Sequence, residues 1–168
     1  MARWRDVVEA VPVFAASVAE RLERRRHKTL ATLRASGAPR VNGVETFIAD
    51  GDLYIGSMAD SRKAADLRSD PRFALQCVAT DPPEGDPGAW DGDVSLSGRA
   101  VEIVDHDEIR RVMAAGGHTV GDDDDLGNPG LFRLDLDEVV SVRVHASLGY
   151  LEIEAWHAHT GYRRFERY

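Results

Sequence analysis

In this chain of 168 residues, the tripeptide Ser61-Arg62-Lys63 carries the residue types best suited to hold an anion. It follows a strand-like run, Leu53-Tyr-Ile-Gly-Ser57, and opens a short stretch whose pattern predicts a helix over 62–69. Ser61 stands at the cap position. Arg62 and Lys63 then fall in the first helical turn, where the helix dipole is already positive and cations are unfavourable. A hydroxyl, free backbone N–H groups and two cations in one place suit a phosphate. The competing reading of the same residues is an ordinary Ser cap beside two solvated surface charges.

The rest of the chain sets limits on the partner. Hydrophobic residues make up 43% and charged residues 30%, the balance of a globular protein with a real core. The length predicts one domain, 1–168, with an N-terminal helical segment. The formal net charge of −8 argues against nucleic-acid or anionic-membrane partners, which need a basic face. With Cys77 as the one cysteine, no intrachain disulfide can form. Its setting, Phe73-Ala-Leu-Gln-Cys-Val-Ala79, reads as a buried strand with an inert thiol. No apolar run reaches membrane-spanning length, and Met1–Glu9 is too charged for a signal peptide. A cytoplasmic location is the resulting expectation.

The elements that must position the tripeptide are mostly short strands. Residues 3–26 predict a helix, with Val11, Phe14, Val18 and Leu22 on one side and Pro12 as a kink or a second start. Residues 29–34, 40–48 and 53–57 read as three strands. Ala35–Pro39 and Asp50-Gly-Asp52 are the turns between them. After the helix over 62–69, Phe73–Ala79 is a fourth strand. Residues 80–92 form a Pro- and Gly-rich loop. Asp93–Val104 is a long strand with a bend or bulge at Gly98, and 106–115 predicts a helix. Residues 118–130 hold four consecutive aspartates, 122–125, and read as a mobile acidic loop. Four adjacent aspartates lack the alternating spacing of a calcium loop. Leu131–Asp135, Val139–His145, Tyr150–Trp156 and Tyr162–Glu166 complete the strands. Many short strands with few helices indicate a mainly β protein with flanking helices, built as an antiparallel barrel.

On these residues the chain resembles the FMN-binding split-barrel family, which includes pyridoxamine 5′-phosphate oxidases and flavin/deazaflavin oxidoreductases. The resemblance rests on the strand opening from Lys28 and the block Ser61-Arg-Lys-x-x-x-Leu-x-x-Asp-Pro-Arg-x-x-Leu75. It continues in Asp93-Val-Ser-Leu-Ser-Gly-Arg-Ala-Val-Glu102 and, in outline, in Leu131–Val140. It implies a split antiparallel β-barrel and a homodimer with a flavin in a groove between subunits. It assigns the cofactor phosphate to Arg62 and Lys63, with Ser61 as cap and possible contact. Ser57 and Met58 would stand beside the flavin ring. The cofactor would be FMN, or alternatively the deazaflavin F420, which also offers a phosphate and a related tricycle. Asn42 and Phe47 stand where oxidases of pyridoxamine phosphate carry an Arg and a Lys, and Asp93 stands for a flavin-contacting Gln. These departures argue against oxidation of pyridoxamine phosphate while leaving flavin binding through other contacts.

No second chemistry is expected. His157 and His159, two apart, would share one face of a strand, but a third ligand is not recognisable and no metal site is predicted. His27, His106, His118 and His145 are scattered. His118 lies in the Gly-rich loop and could reach a ligand, although a surface position is the plainer reading. Trp90 and Trp156 could pack on a flavin or be buried. No side chain is assigned as a catalytic acid or base. The expected function is therefore an oxidoreductase in which the cofactor carries the hydride chemistry on a small-molecule substrate. The alternative is a flavin- or haem-binding carrier or sensor without turnover.

Overall fold

The computed structural model describes residues 1–118, 130–145 and 149–168. The acidic run 122–125, and with it most of the loop expected at 118–130, lies outside the described residues. The N-terminal segment is two helices, α1 (Trp4–Ala10) and α2 (Pro12–Arg24). Pro12 starts α2 because its missing N–H is unneeded at the first helical position. Trp4, Val7, Phe14, Val18 and Leu22 bury one side of the pair. Arg3 and Arg5 pin α1 to the buried carboxylate of Asp52 at 2.7 and 2.6 Å.

Strands β1 (His27–Leu33), β2 (Pro39–Ala49) and β3 (Asp52–Ile55) form an antiparallel meander, and α3 (Arg62–Ser69) follows. Then come β4 (Arg72–Cys77), β5 (Asp93–Ile103), α4 (His106–Ala115), β6 (Leu131–Val144), β7 (Leu151–His157) and β8 (Gly161–Arg167). The sheet runs β3-β2-β1-β4-β5-β6-β7-β8, and an added β3–β6 pairing closes its first six strands into a barrel. Tyr54 opposite Arg133 and Ile55 opposite Phe132 make that closure. The β7–β8 hairpin extends beyond the barrel from the second half of β6. The fold is a mainly β split barrel with four flanking α-helices.

The strands read separately as Leu131–Asp135 and Val139–His145 are one strand, β6. Its polar middle is not a loop but a bulge. Ser97 pairs with Glu138 and Gly98 with Leu136, which leaves Asp137 unopposed. Gly98 is required there, since a Cβ would lie 2.0 Å from the Asp135 carbonyl oxygen. The backbone set aside by the bulge is taken up elsewhere. Ala2 exchanges both hydrogen bonds with Leu136, and the Asp137 carbonyl accepts from Ala158.

Leu30, Ile55, Leu75, Leu96, Leu134 and Leu136 fill the barrel together with the inner sides of α1 and α2. Trp156 belongs to this core, so it is not a surface on which a flavin packs. Cys77 is buried, its S–H donating to the Arg21 carbonyl at 3.5 Å, and burial pushes its thiol pKa up. A smaller cluster of Tyr54, Ile103, Ile109, Val112 and Leu131 seats α4. The two histidines expected to share a strand face do not. His157 ends β7, His159 lies in the following turn, and the backbone N–H of His159 donates to Nδ1 of His157 at 3.1 Å. Among the described residues no helix is long and apolar enough to cross a membrane.

Candidate functional site

The loop between β3 and α3 is held rigid by short-range contacts. Ser61 caps α3, its Oγ accepting from the Ala64 N–H at 3.2 Å. The same oxygen lies 2.6 Å from Ser57 Oγ, and the Ser61 N–H donates to the Met58 carbonyl. From the far end of the helix, Arg68 donates to the Ala59 carbonyl at 2.8 Å while gripping Glu102. Ala64 and Leu67 bury the inner side of α3. Beneath it Asp66 accepts from Thr32 Oγ1 at 2.9 Å and from Arg40 Nε at 2.5 Å. Burial alone would raise the Asp66 pKa. The hydrogen bonds from Arg40 and Thr32, with the Arg40 charge, outweigh it and hold the carboxyl below its ordinary value.

This anchoring presents the first turn of α3 to a cleft of about 470 Å³. One wall is β2, whose residues Gly43, Glu45 and Phe47 alternate onto the same face. Gly56, Ser57 and Met58 line it from the β3–α3 loop, and Met113 and His118 from the end of α4. Gly43 and Gly56 keep the cleft open, because a Cβ at either would point into empty space. Gly116 allows the end of α4 to come close, since a Cβ there would lie 2.5 Å from the Phe47 ring. His118 then meets Phe47 edge-on at 4.7 Å, and Phe47 stacks on Tyr54 at 5.6 Å.

Lys63 is the charged group that makes the cleft suited to an anion. Its Nζ donates to the Gly43 carbonyl at 3.2 Å, and among the described residues no carboxylate pairs with it. The carboxylate in the lining, Glu45, is engaged by Arg26 at 3.0 Å, whose hydrogen bond holds its pKa below the ordinary value. An ammonium at a helix N-terminus, with only a neutral acceptor, faces an apolar slot open at two glycines. That combination fits a flat ring carrying a phosphate.

The five residues expected from the sequence separate into three positions. Ser57, Met58 and Lys63 line the cleft. Ser61 stands behind it as the cap. Arg62 is exposed on the outer side of the first turn and has no hydrogen-bond or ion-pair partner among the described residues. It lies next to Lys63 in sequence, so successive side chains diverge by about 100° around the helix. Asp93 is turned away from the cleft, accepting from Gln76 Nε2 at 3.2 Å and the Ala79 N–H at 2.8 Å. Asp93, which replaces the flavin-contacting Gln of the family, does not line this cleft. Trp90 likewise lies elsewhere. Gly43, Glu45, Met113 and His27 were not foreseen as lining residues. Gly43, a glycine inside a strand, was the one local signal of a close approach.

A model of the pyridoxamine 5′-phosphate oxidase family matches residues 14–143. No curated protein sequence matches the chain. Among solved structures, an FMN-binding protein related to pyridoxamine 5′-phosphate oxidase from Nostoc punctiforme is similar with a TM-score of 0.61. It is 14% identical, with 94% of this chain and 96% of that one covered. The haem storage protein HutZ from Vibrio cholerae has a TM-score of 0.61 at 18% identity, over 79% of this chain and 96% of that one. A haem-binding protein from Mycobacterium smegmatis has a TM-score of 0.59 at 24% identity. The match covers 82% of this chain and spans 57% of that longer one. At these identities the three show a common fold.

Proposed function

This chain belongs to the pyridoxamine 5′-phosphate oxidase family, and from that membership and the Lys63 cleft we propose that it binds FMN or the deazaflavin F420 as an oxidoreductase cofactor. The observation that carries the reading is Lys63: an ammonium at the mouth of an apolar slot that, among the described residues, donates to the Gly43 carbonyl and pairs with no carboxylate. Lys63 would hold the phosphate, with Arg62 as a second cation in the same helical turn. Ser61 and Ser57 keep the loop in place. Phe47 and Met113 would offer the ring an apolar surface. A bound flavin or deazaflavin supplies hydride transfer to or from a small-molecule substrate. In this reading the chain's own residues bind and orient the cofactor. Fluorescence titration with FMN and with F420 tests this reading, followed by reduction assays with NAD(P)H or reduced F420. Micromolar binding of one of them is expected, and binding of neither refutes it.

The open side of the cleft and the β8 edge support a homodimer that completes the site. All seven residues of β8 are exposed, including Tyr162 and Phe165, and among the described residues its outer edge has no partner strand. Light scattering should report twice 18.5 kDa. A monomer at micromolar concentration refutes the two-subunit site.

A second reading is a haem- or flavin-binding carrier without turnover. The haem-binding and haem storage relatives favour it, as do two imidazoles, His27 and His118, at the cleft. A Soret band that His118→Ala shifts, with no flavin binding, would select it.

A further inference from the structure

A second cavity, of about 400 Å³, lies between α2, the turn around Pro87–Ala89 and the end of β6. It shares no lining residue with the Lys63 cleft. Three guanidinium groups face it, from Arg21, Arg24 and Arg143, together with the ring of Trp90. Two carboxylates also line it, Glu20 and Asp91, but Arg24 engages both, at 2.5 and 2.7 Å. Arg143 shares the buried carboxylate of Glu152 with Arg164. Arg21 is left over. It is half-buried, and its side chain donates to the hydroxyl of the buried Ser141 at 2.5 Å. Among the described residues no carboxylate pairs with it. Burial first, and then the like charge of Arg143, lowers the Arg21 pKa against the opposing pull of Asp91, Glu154 and Glu20.

We propose that this cavity is a ligand site for a small aromatic anion, a ring bearing a carboxylate or phosphate. Arg21 and Arg143 take the anionic group and Trp90 supplies the surface for the ring. A planar guanidinium with free donors recognises such oxygens in a fork. A half-buried indole offers a ring an apolar face. The volume accommodates one or two rings. A local cationic site of this kind stands out in a chain of net charge −8.

Calorimetric titration with phenyl phosphate tests the proposal, with inorganic phosphate and phenol as comparisons. Wild type should bind phenyl phosphate more tightly than either comparison. Arg21→Ala and Trp90→Ala should each weaken it at least about tenfold, the loss of one charge-assisted or ring contact. Lys63→Ala, which alters the other cleft, should keep the Arg21-dependent binding within about threefold. No binding at millimolar phenyl phosphate overturns the proposal. So does inorganic phosphate binding equally well, or a loss that follows Lys63 rather than Arg21. Should Arg21→Ala fail to fold, as circular dichroism would show, Trp90→Ala decides alone because Trp90 lies in a surface loop.

Discussion

Lys63→Ala should weaken FMN and leave riboflavin nearly untouched. In the structure the Lys63 ammonium has one neutral acceptor, the Gly43 carbonyl at 3.2 Å, and faces the cleft. A phosphate in reach would replace that contact with a charge-assisted hydrogen bond, worth about 1.5–3 kcal/mol. Its loss should raise the FMN dissociation constant by about one to two orders of magnitude. Arg62 sits on the outer side of the turn and must bend over the helix end, so Arg62→Ala should cost less than Lys63→Ala. The double substitution should reach about two to four orders if the two act independently. Stability without ligand should stay within about 0.5 kcal/mol, because removing a cation from the helix N-terminus offsets the lost Gly43 contact. Fluorescence titration of each variant with FMN and with riboflavin measures this, and added salt should weaken FMN more than riboflavin. A change below about threefold for the double variant, or an equal loss for riboflavin, refutes the phosphate role of this turn.

Other consequences follow from the packing. Gly98→Ala should lower stability by about 3 kcal/mol, read as a drop in Tm, because its Cβ would overlap the Asp135 carbonyl of the paired strand. Gly116→Val should push Phe47 off Tyr54 and weaken flavin binding, together with a stability loss of about 1–3 kcal/mol measured by urea unfolding. Asp66 and Glu152 have folded pKa values held below their ordinary ones, so each adds stability that is complete at neutral pH. That stability is lost as pH falls below about 4 towards their folded pKa values. Urea midpoints from pH 7 down to 3 should show the decline, and Asp66→Asn should flatten it while costing about 3 kcal/mol at pH 7 by stranding Arg40. Cys77 should resist thiol reagents in the native protein and react only on unfolding, since burial both shields the thiol and disfavours the thiolate.

Local pattern carried much of this molecule. Period-two alternation placed most of the strands, Asp50-Gly51 marked the turn between β2 and β3, and Pro12 marked the break in the N-terminal helical segment. The Ser61 cap and the helix behind it follow from residue type alone, because capping is a contact between neighbours four residues apart or fewer. The phosphate expectation came from the same local physics, cations set against a helix dipole.

Tertiary structure decided what depends on residues far apart in the chain. Asp135-Leu-Asp-Glu138 is polar enough to read as a break, yet the bulge opposite Gly98 and the bridge to Ala2 keep β6 continuous. Whether Trp156 faced a ligand or the core depended on which side of β7 the barrel covers. His159 left the strand because the turn bonded it to His157. The separation of Lys63 from Arg62 needed the partner wall of the cleft, twenty residues earlier at Gly43. That no carboxylate among the described residues ion-pairs with Arg21 needed the whole fold, since only packing shows which carboxylates are already engaged. Sequence spacing reports neighbours along the chain, whereas a binding site is set by charges and surfaces that the barrel brings together across it.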